Sequence, residues 1–227
     1  MKLTIITPTT GRKSLYNAID SINAQDIGEI GIYCEHILLW DNFREDEFAD
    51  EKRRPFDFNA KNRYSIIIPG SFKNGNATGS ALRAIGLMAA KGEYITFMDD
   101  DVMWEKNHVS TMLSAIKDKN WAFCKRKIWT KLPNGQFECL GVDNFESVGE
   151  EAKTPYKMVD NSSMIFKRRF GSSAAPLYRE TTEYNDDRLM YEFLTKYAGE
   201  PGKTNLATVN QVCPDKLIEF FRQNCTR

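Results

Sequence analysis

The sequence predicts an α/β protein: a mostly parallel, Rossmann-like sheet followed by a mixed second half. Three observations carry this. Apolar β-branched runs alternate with helically spaced apolar residues through the first hundred positions, the pattern of parallel strands joined by crossover helices. Two of those runs end in acids, Asp41 and Asp99-Asp100-Asp101, at the strand ends where open α/β sheets bind ligands. Beyond residue 102 the alternation stops, and Pro133-Asn134-Gly135 marks a hairpin between two strand-like runs. The 227 residues suit one domain, 1–227, with a first half 1–102 and a second half 103–227.

The elements follow in order. Leu3 to Thr7 is a β-branched strand stopped by Pro8, and Leu15, Ala18, Ile19 and Ile22 recur at helical spacing after a polar turn. His36 to Trp40 is the second strand. The charged stretch from Phe43 to Arg63 reads as a partly helical surface excursion. Tyr64 to Ile68 is a third strand closed by Pro69-Gly70, and Gly75 to Gly79 is a glycine-rich loop. Leu82, Ile85, Leu87, Met88 and Ala89 make a helix capped near Gly92, and Tyr94 to Met98 runs into the acidic cluster. The second half is expected to hold a helix from Glu105 to Lys117 and strands over Ala122–Leu132, Gln136–Val142 and Met158–Phe166. A helix over Asp187–Tyr197 follows, and Leu217, Ile218, Phe220 and Phe221 form an amphipathic packing helix.

Composition excludes several classes. Hydrophobic residues are 41%, which argues against long disorder. The balance of 31 Lys+Arg against 31 Asp+Glu excludes a bulk polycation, so no stable nucleic-acid complex is expected. No apolar run approaches the roughly 20 residues of a membrane span, so no transmembrane segment is expected, and the first residues lack a signal-peptide pattern. Five scattered cysteines without CxxC spacing read as reduced thiols. The expected location is cytoplasmic, or peripheral at the inner membrane surface.

Chemistry concentrates at Asp99, Asp100 and Asp101. Three adjacent carboxylates repel one another unless a cation is near, and hard oxygen donors suit Mg²⁺ or Mn²⁺. A solvated acidic turn or a helix N-cap is the bland alternative. The surrounding motifs favour the first reading. Gly92 through Asp101 (GEYITFMDDD) resembles the strand and DxD motif of family 2 glycosyltransferases of the GT-A fold. Asn76, Arg83, Gly86 and Ala90 match that family's N-x-G-x-x-x-A-R-N-x-G…A-x-G spacing. Ile6-Thr7-Pro8-Thr9 with Arg12 is similar to its first strand and nucleotide loop, and Asp41 to its second-strand aspartate. The resemblance covers about residues 1 to 110.

The resemblance implies a GT-A fold and a metal-dependent, inverting transfer from a nucleotide-diphosphate sugar, UDP-sugar favoured. The acceptor would be a glycan, lipid-linked or protein hydroxyl. Thr7, Pro8, Thr9 and Arg12 would shape the nucleotide pocket, and Asp41 would bind the base. Arg83 would lie near the ribose or diphosphate, with Asp99 and Asp100 also on the donor. Asp101, with Asp99, would hold Mn²⁺ or Mg²⁺. Asp186-Asp187 resembles the family's Glu-Asp motif at the start of a late helix, which makes Asp187 the general base; two first-turn acids complementing the helix dipole are the alternative. Val159 to Phe166 resembles the strand beside the acceptor cleft, with Asp160 a sugar contact.

Departures are Ala84 and Thr78 where the family has Asn and Gly, and the lack of a late histidine, since the only two are His36 and His108. His36 reads as a strand start and His108 as a surface helix residue. Lys125-Arg126-Lys127 reads either as a phosphate contact or as alternation on an exposed strand, and Trp104, Trp121 and Trp129 as core rather than sugar platforms. A nucleotidyltransferase would carry a Gly-rich basic loop that TPTTGRK matches poorly. An aspartyl phosphatase would carry its acids on the first strand. A non-catalytic nucleotide- or sugar-binding protein on the same scaffold is the remaining alternative.

Overall fold

The computed structural model describes residues 1–28, 31–41, 63–68, 79–179 and 185–226. The first half builds as its apolar pattern dictates. β1 (Lys2–Thr9), β2 (Tyr33–Asp41), β3 (Arg63–Ile68) and β4 (Tyr94–Phe97) run parallel in the order β4-β1-β2-β3. β1 is buried from Leu3 onward because both faces of the sheet are covered. Ile6, Leu39 and Phe97 belong to the core on one face, and Leu3, Ile5 and Met98 to the core on the other. Helix α1 (Ser14–Asn23) buries the four residues that its spacing singled out: Leu15, Ala18, Ile19 and Ile22.

Helix α2 (Ser80–Ala89) is entered through Gly79, whose φ of +98° is open to glycine at little cost. Gly86 lets the helix lie against β1, since a Cβ there would come within 2.4 Å of Ile6 Cγ2. Gly92 is not the expected cap. The helix ends at Ala89, its C-cap Ala90 being already extended, and Gly92 serves a close approach: a Cβ on it would lie 2.6 Å from the Thr4 amide nitrogen.

The second half extends the same sheet. Its strands are β5 (Val102–Trp104), β6 (Trp121–Lys131), β7 (Phe137–Asp143), β8 (Met164–Lys167), β9 (Gly202–Val212) and β10 (Cys225–Thr226). The path continues β10-β7-β6-β8-β4, and β9 pairs with both β5 and β6. β8 therefore sits between β4 and β6, antiparallel to each. The helices are α3 (His108–Ile116), α4 (Arg168–Arg179), α5 (Asp186–Ala198) and α6 (Ile218–Asn224). The predicted hairpin forms, with Gly135 at φ +85° and the Leu132 amide donating to the Gln136 carbonyl at 2.7 Å.

Four expectations change. The helix expected from Glu105 begins at His108, and the residues ahead of it include the unpredicted strand β5. The strand expected over Met158–Phe166 reduces to β8, because Asn161–Ser163 is a single 3₁₀ turn capped by the Asp160 side chain. Helix α4 was hidden by the breakers Gly171 and Pro176. β9 was hidden by its polar, half-exposed composition. The charged stretch 43–62, Pro69-Gly70 and the loop residues 75–78 lie outside the described residues.

Candidate active site at the strand ends

The carboxyl ends of β1, β2 and β4 open into a cleft of about 210 Å³, closed on its other side by the starts of α2 and α5. Side chains lace its floor together. The Thr9 hydroxyl donates to Asp100 Oδ2 at 2.7 Å and accepts from the Gly11 amide at 2.8 Å. Arg12 reaches across with Nη1 2.7 Å from Asp101 Oδ2 and Nε 3.6 Å from Asp100 Oδ1. Burial pushes the carboxyls of Asp100 and Asp101 up, and the neighbouring Asp99 charge adds to this while Arg12 opposes it.

Arg83 is the centre of the far wall. It is 7% exposed, and its Nη1 donates to Asp186 Oδ2 at 2.9 Å while Nη2 donates to Asp99. Burial opposes the charge on this guanidinium, but Asp99 and Asp186 more than compensate. Ser80 Oγ adds a 3.2 Å bond to Asp186. One positive side chain thus joins the end of the fourth strand to the first turn of α5.

Asp187 lies beside Asp186 and also lines the cleft. Its Oδ1 accepts from the Asn161 amide at 3.0 Å. Burial, then the charges of Asp160 and Asp186, hold its carboxyl well above the usual range. Both acids occupy the first turn of a 13-residue helix whose N-cap, Asn185, makes no side-chain cap bond.

Of the residues singled out in the sequence, Pro8, Thr9, Arg12, Asp41, Arg83, Asp99, Asp100, Asp101 and Asp187 do line this one cleft. Thr7 does not. It is fully buried one residue behind, with its hydroxyl 3.0 Å from His36 Nε2. Asn76 and Thr78 lie outside the described residues. Several readings are corrected. His36 is the fourth residue of β2, not its start. His108 is buried rather than on the surface: it stacks on Trp104 at 4.2 Å, bonds Thr208 Oγ1 at 2.8 Å, and burial lowers its pKa to about 3. Arg126 is not on an exposed strand. It is 5% exposed and paired with Asp143 and Asp160. Asp160 spends both oxygens inside the protein, on Arg126 Nη1 at 3.0 Å and on the Ser162 amide at 2.9 Å. The role of Ser162 in the site was missed, because its links run through backbone groups that have no sequence signal; its hydroxyl accepts from the Asp99 amide at 3.1 Å.

Among the described residues no group of three or more His, Cys, Asp or Glu side chains is arranged to hold a metal ion. The acidic cluster still fits Mg²⁺ or Mn²⁺ in a narrower sense. Its donors are all oxygen, and these ions commonly take one or two carboxylates and complete their shell with substrate phosphates. No described helix is long and apolar enough to cross a membrane.

The family described as "Glycosyl transferase family 2" matches residues 4–135. No curated protein matches the chain. Among solved structures, S. aureus TarS 1–349 aligns with a TM-score of 0.66 at 17% identity, covering 100% of this chain and 67% of that one. Its complex with UDP-GlcNAc aligns at 0.64 and 17%, covering 95% and 59%. Another TarS structure aligns at 0.61 and 16%, covering 94% and 37%. The chain therefore spans 37% to 67% of the length of these structures. At such identity the likeness establishes the fold, a GT-A α/β fold.

Proposed function

The chain belongs to glycosyl transferase family 2, and from that membership we propose that it moves a sugar from a nucleotide diphosphate to a hydroxyl acceptor, with inversion. The observation that carries this reading is the single cleft in which Asp99–Asp101, Arg12 and Arg83 meet Asp186 and Asp187. A UDP-sugar is the favoured donor, since structures of the similar TarS fold include complexes with UDP-GlcNAc and with UDP. Residues 1–102 supply the donor side and 103–227 the acceptor side.

Asp41 accepts a hydrogen bond from the base. Arg83 faces the diphosphate, and Asp99 the ribose or sugar hydroxyls. Pro8 and Thr9 line the nucleotide pocket, while Asp100 holds Thr9 and Arg12 in position. Asp101 and Asp99 would hold Mn²⁺ or Mg²⁺, which when bound supplies positive charge against the leaving diphosphate. Asp187 takes the proton of the acceptor hydroxyl. The acceptor oxygen forms a bond to the anomeric carbon, and the bond to the diphosphate oxygen breaks with its electron pair. A carboxyl raised by burial is the better base near neutral pH. The hydroxyl belongs to a glycan, a lipid-linked carrier or a protein.

The test is a panel of UDP-sugars, read by UDP release and by calorimetric binding of UDP, with Mn²⁺ and with a chelator. One sugar should be turned over and UDP should bind more tightly with Mn²⁺. Arg83→Ala and Asp41→Ala should each weaken UDP binding by about tenfold, the loss of one charge-assisted contact. UDP binding that is absent under every condition would overturn the reading. Binding indifferent to Mn²⁺ and chelator would overturn its metal part alone.

A further inference from the structure

Four consecutive residues behind the cleft bond two of its acids. Asp160, Asn161, Ser162 and Ser163 are all buried. The Asn161 amide donates to Asp187 Oδ1 at 3.0 Å. The Ser162 hydroxyl accepts from the Asp99 amide at 3.1 Å, and the Ser162 carbonyl accepts from Trp104 Nε1 at 3.2 Å. The Asn161 side chain accepts from the Tyr178 hydroxyl at 2.7 Å. One short turn therefore bonds both the donor-side acid Asp99 and the acid at the start of α5.

The turn is itself held from behind. Asp160 caps it through the Ser162 amide and pairs with Arg126. Arg126 is fixed in turn by Asp143 Oδ2 at 2.9 Å, by the Gln211 side chain, and by the Phe221 ring 5.8 Å from its Cζ. Asp143 accepts from the amides of Phe145 and Glu146 at 2.9 and 3.1 Å, so it too is rigidly placed. A buried guanidinium is costly to desolvate, and hydrophobic packing often serves stability as well. The arrangement is better explained by the geometry it enforces.

We propose that Arg126 and Asp160 are positioning residues: through the 160–163 turn they set where the Asp187 carboxylate stands relative to Asp99, and neither touches substrate. This replaces a direct sugar contact by Asp160, both of whose oxygens are already engaged. The inference rests on Asp187 acting as the base. It predicts a pattern that a general folding role would not produce. Misplacing a reacting group by about an ångström costs up to about 100-fold in rate, while donor binding, made elsewhere, is spared.

The experiment measures kcat, donor KM and UDP affinity for Asp160→Asn, which keeps the shape and the acceptor for Ser162. Arg126→Lys keeps the charge but loses the fork, and Tyr178→Phe loosens Asn161 alone. Each variant is measured with Asp187 intact and with Asp187→Asn. With Asp187 intact, kcat should fall by about 10- to 100-fold for Asp160→Asn and less for Tyr178→Phe, with KM and UDP affinity within about twofold. In the Asp187→Asn background these losses should vanish, because there is no base left to place. A raised KM for Asp160→Asn would restore a sugar contact and overturn the proposal. So would full additivity with Asp187→Asn, or unchanged kcat in all three variants. If Asp160→Asn does not fold, Tyr178→Phe and Arg126→Lys decide by the same criteria. Should Asp187→Asn itself leave kcat intact, the base assignment fails first, and that result is distinct from a dead base with indifferent positioning variants.

Discussion

Asp186 and Asp187 are adjacent, yet the fold gives them different chemistry. Asp186 is spent on Arg83 and Ser80. Asp187 has one backbone donor and a carboxyl raised by burial. Asp187→Asn should lower kcat by about 10²–10⁴-fold and leave UDP affinity unchanged, as expected for loss of a base. Asp186→Asn should instead weaken the Arg83 pairing and lower UDP affinity or stability. The pH sign follows from the direction of the shift. Only the ionised carboxylate accepts a proton, so the rate rises with pH through the Asp187 pKa. Burial has moved that value above the ordinary value of about 3.9, so the acid limb should sit higher than for an exposed Asp and disappear in Asp187→Asn.

At the scale of the element, packing overrides helix propensity at Gly86. Alanine is the better helix former by about 1 kcal/mol. Here its Cβ would collide with Ile6, with Leu39 Cδ1 also at 3.1 Å. Gly86→Ala should therefore destabilise the protein by about 1–3 kcal/mol, measured by urea unfolding, despite the gain in propensity. The same contest decides what could be read from the sequence. The elements of the first half obey their patterns because each helix packs one apolar stripe against the sheet, while β1 and β2, covered on both faces, read as continuous apolar runs. Asp41 and Asp99–Asp101 were legible as acids at strand ends, and Arg12, Arg83 and Asp187 through their match to the family's motifs. What escaped was set by tertiary contact. Helix α4 tolerates Gly171 because Ile95 presses on it, a Cβ there coming within 2.8 Å of the Ile95 Cδ1 atom. Arg126 looked solvent-facing in a run of three cations, and only the arrival of Asp143 and Asp160, 17 and 34 residues away, buries it.

For the whole molecule, Glu35 fastens the end of the sheet opposite the cleft. It accepts from Thr4 Oγ1 at 2.6 Å, the Lys91 amide at 3.0 Å and Lys2 Nζ at 3.3 Å. Burial alone would raise its pKa, but these donors hold it below the usual value. A carboxylate depressed in the folded state contributes stability above its unfolded pKa of about 4.3, and that contribution is lost as pH falls through the folded value. Glu35→Gln should lower the thermal midpoint at pH 7 and leave a shallower acid decline below about pH 4.3, read by circular dichroism.

The place of β8 between β4 and β6 bears on how the chain is made. Residues 164–167 complete the pairing of Tyr94–Thr96. Until the ribosome has released them, the emerging amino-terminal half carries a bare strand edge beside β4, open to pairing with another nascent chain. Arg83 likewise waits for a partner 103 residues downstream. The cleft therefore has no existence until residue 187 has been synthesised. A fragment ending at residue 102 should aggregate in sedimentation, and a fragment reaching residue 212, which also supplies β9 to cover the edges of β5 and β6, should not. Chaperone demand during translation should fall off sharply between those two lengths.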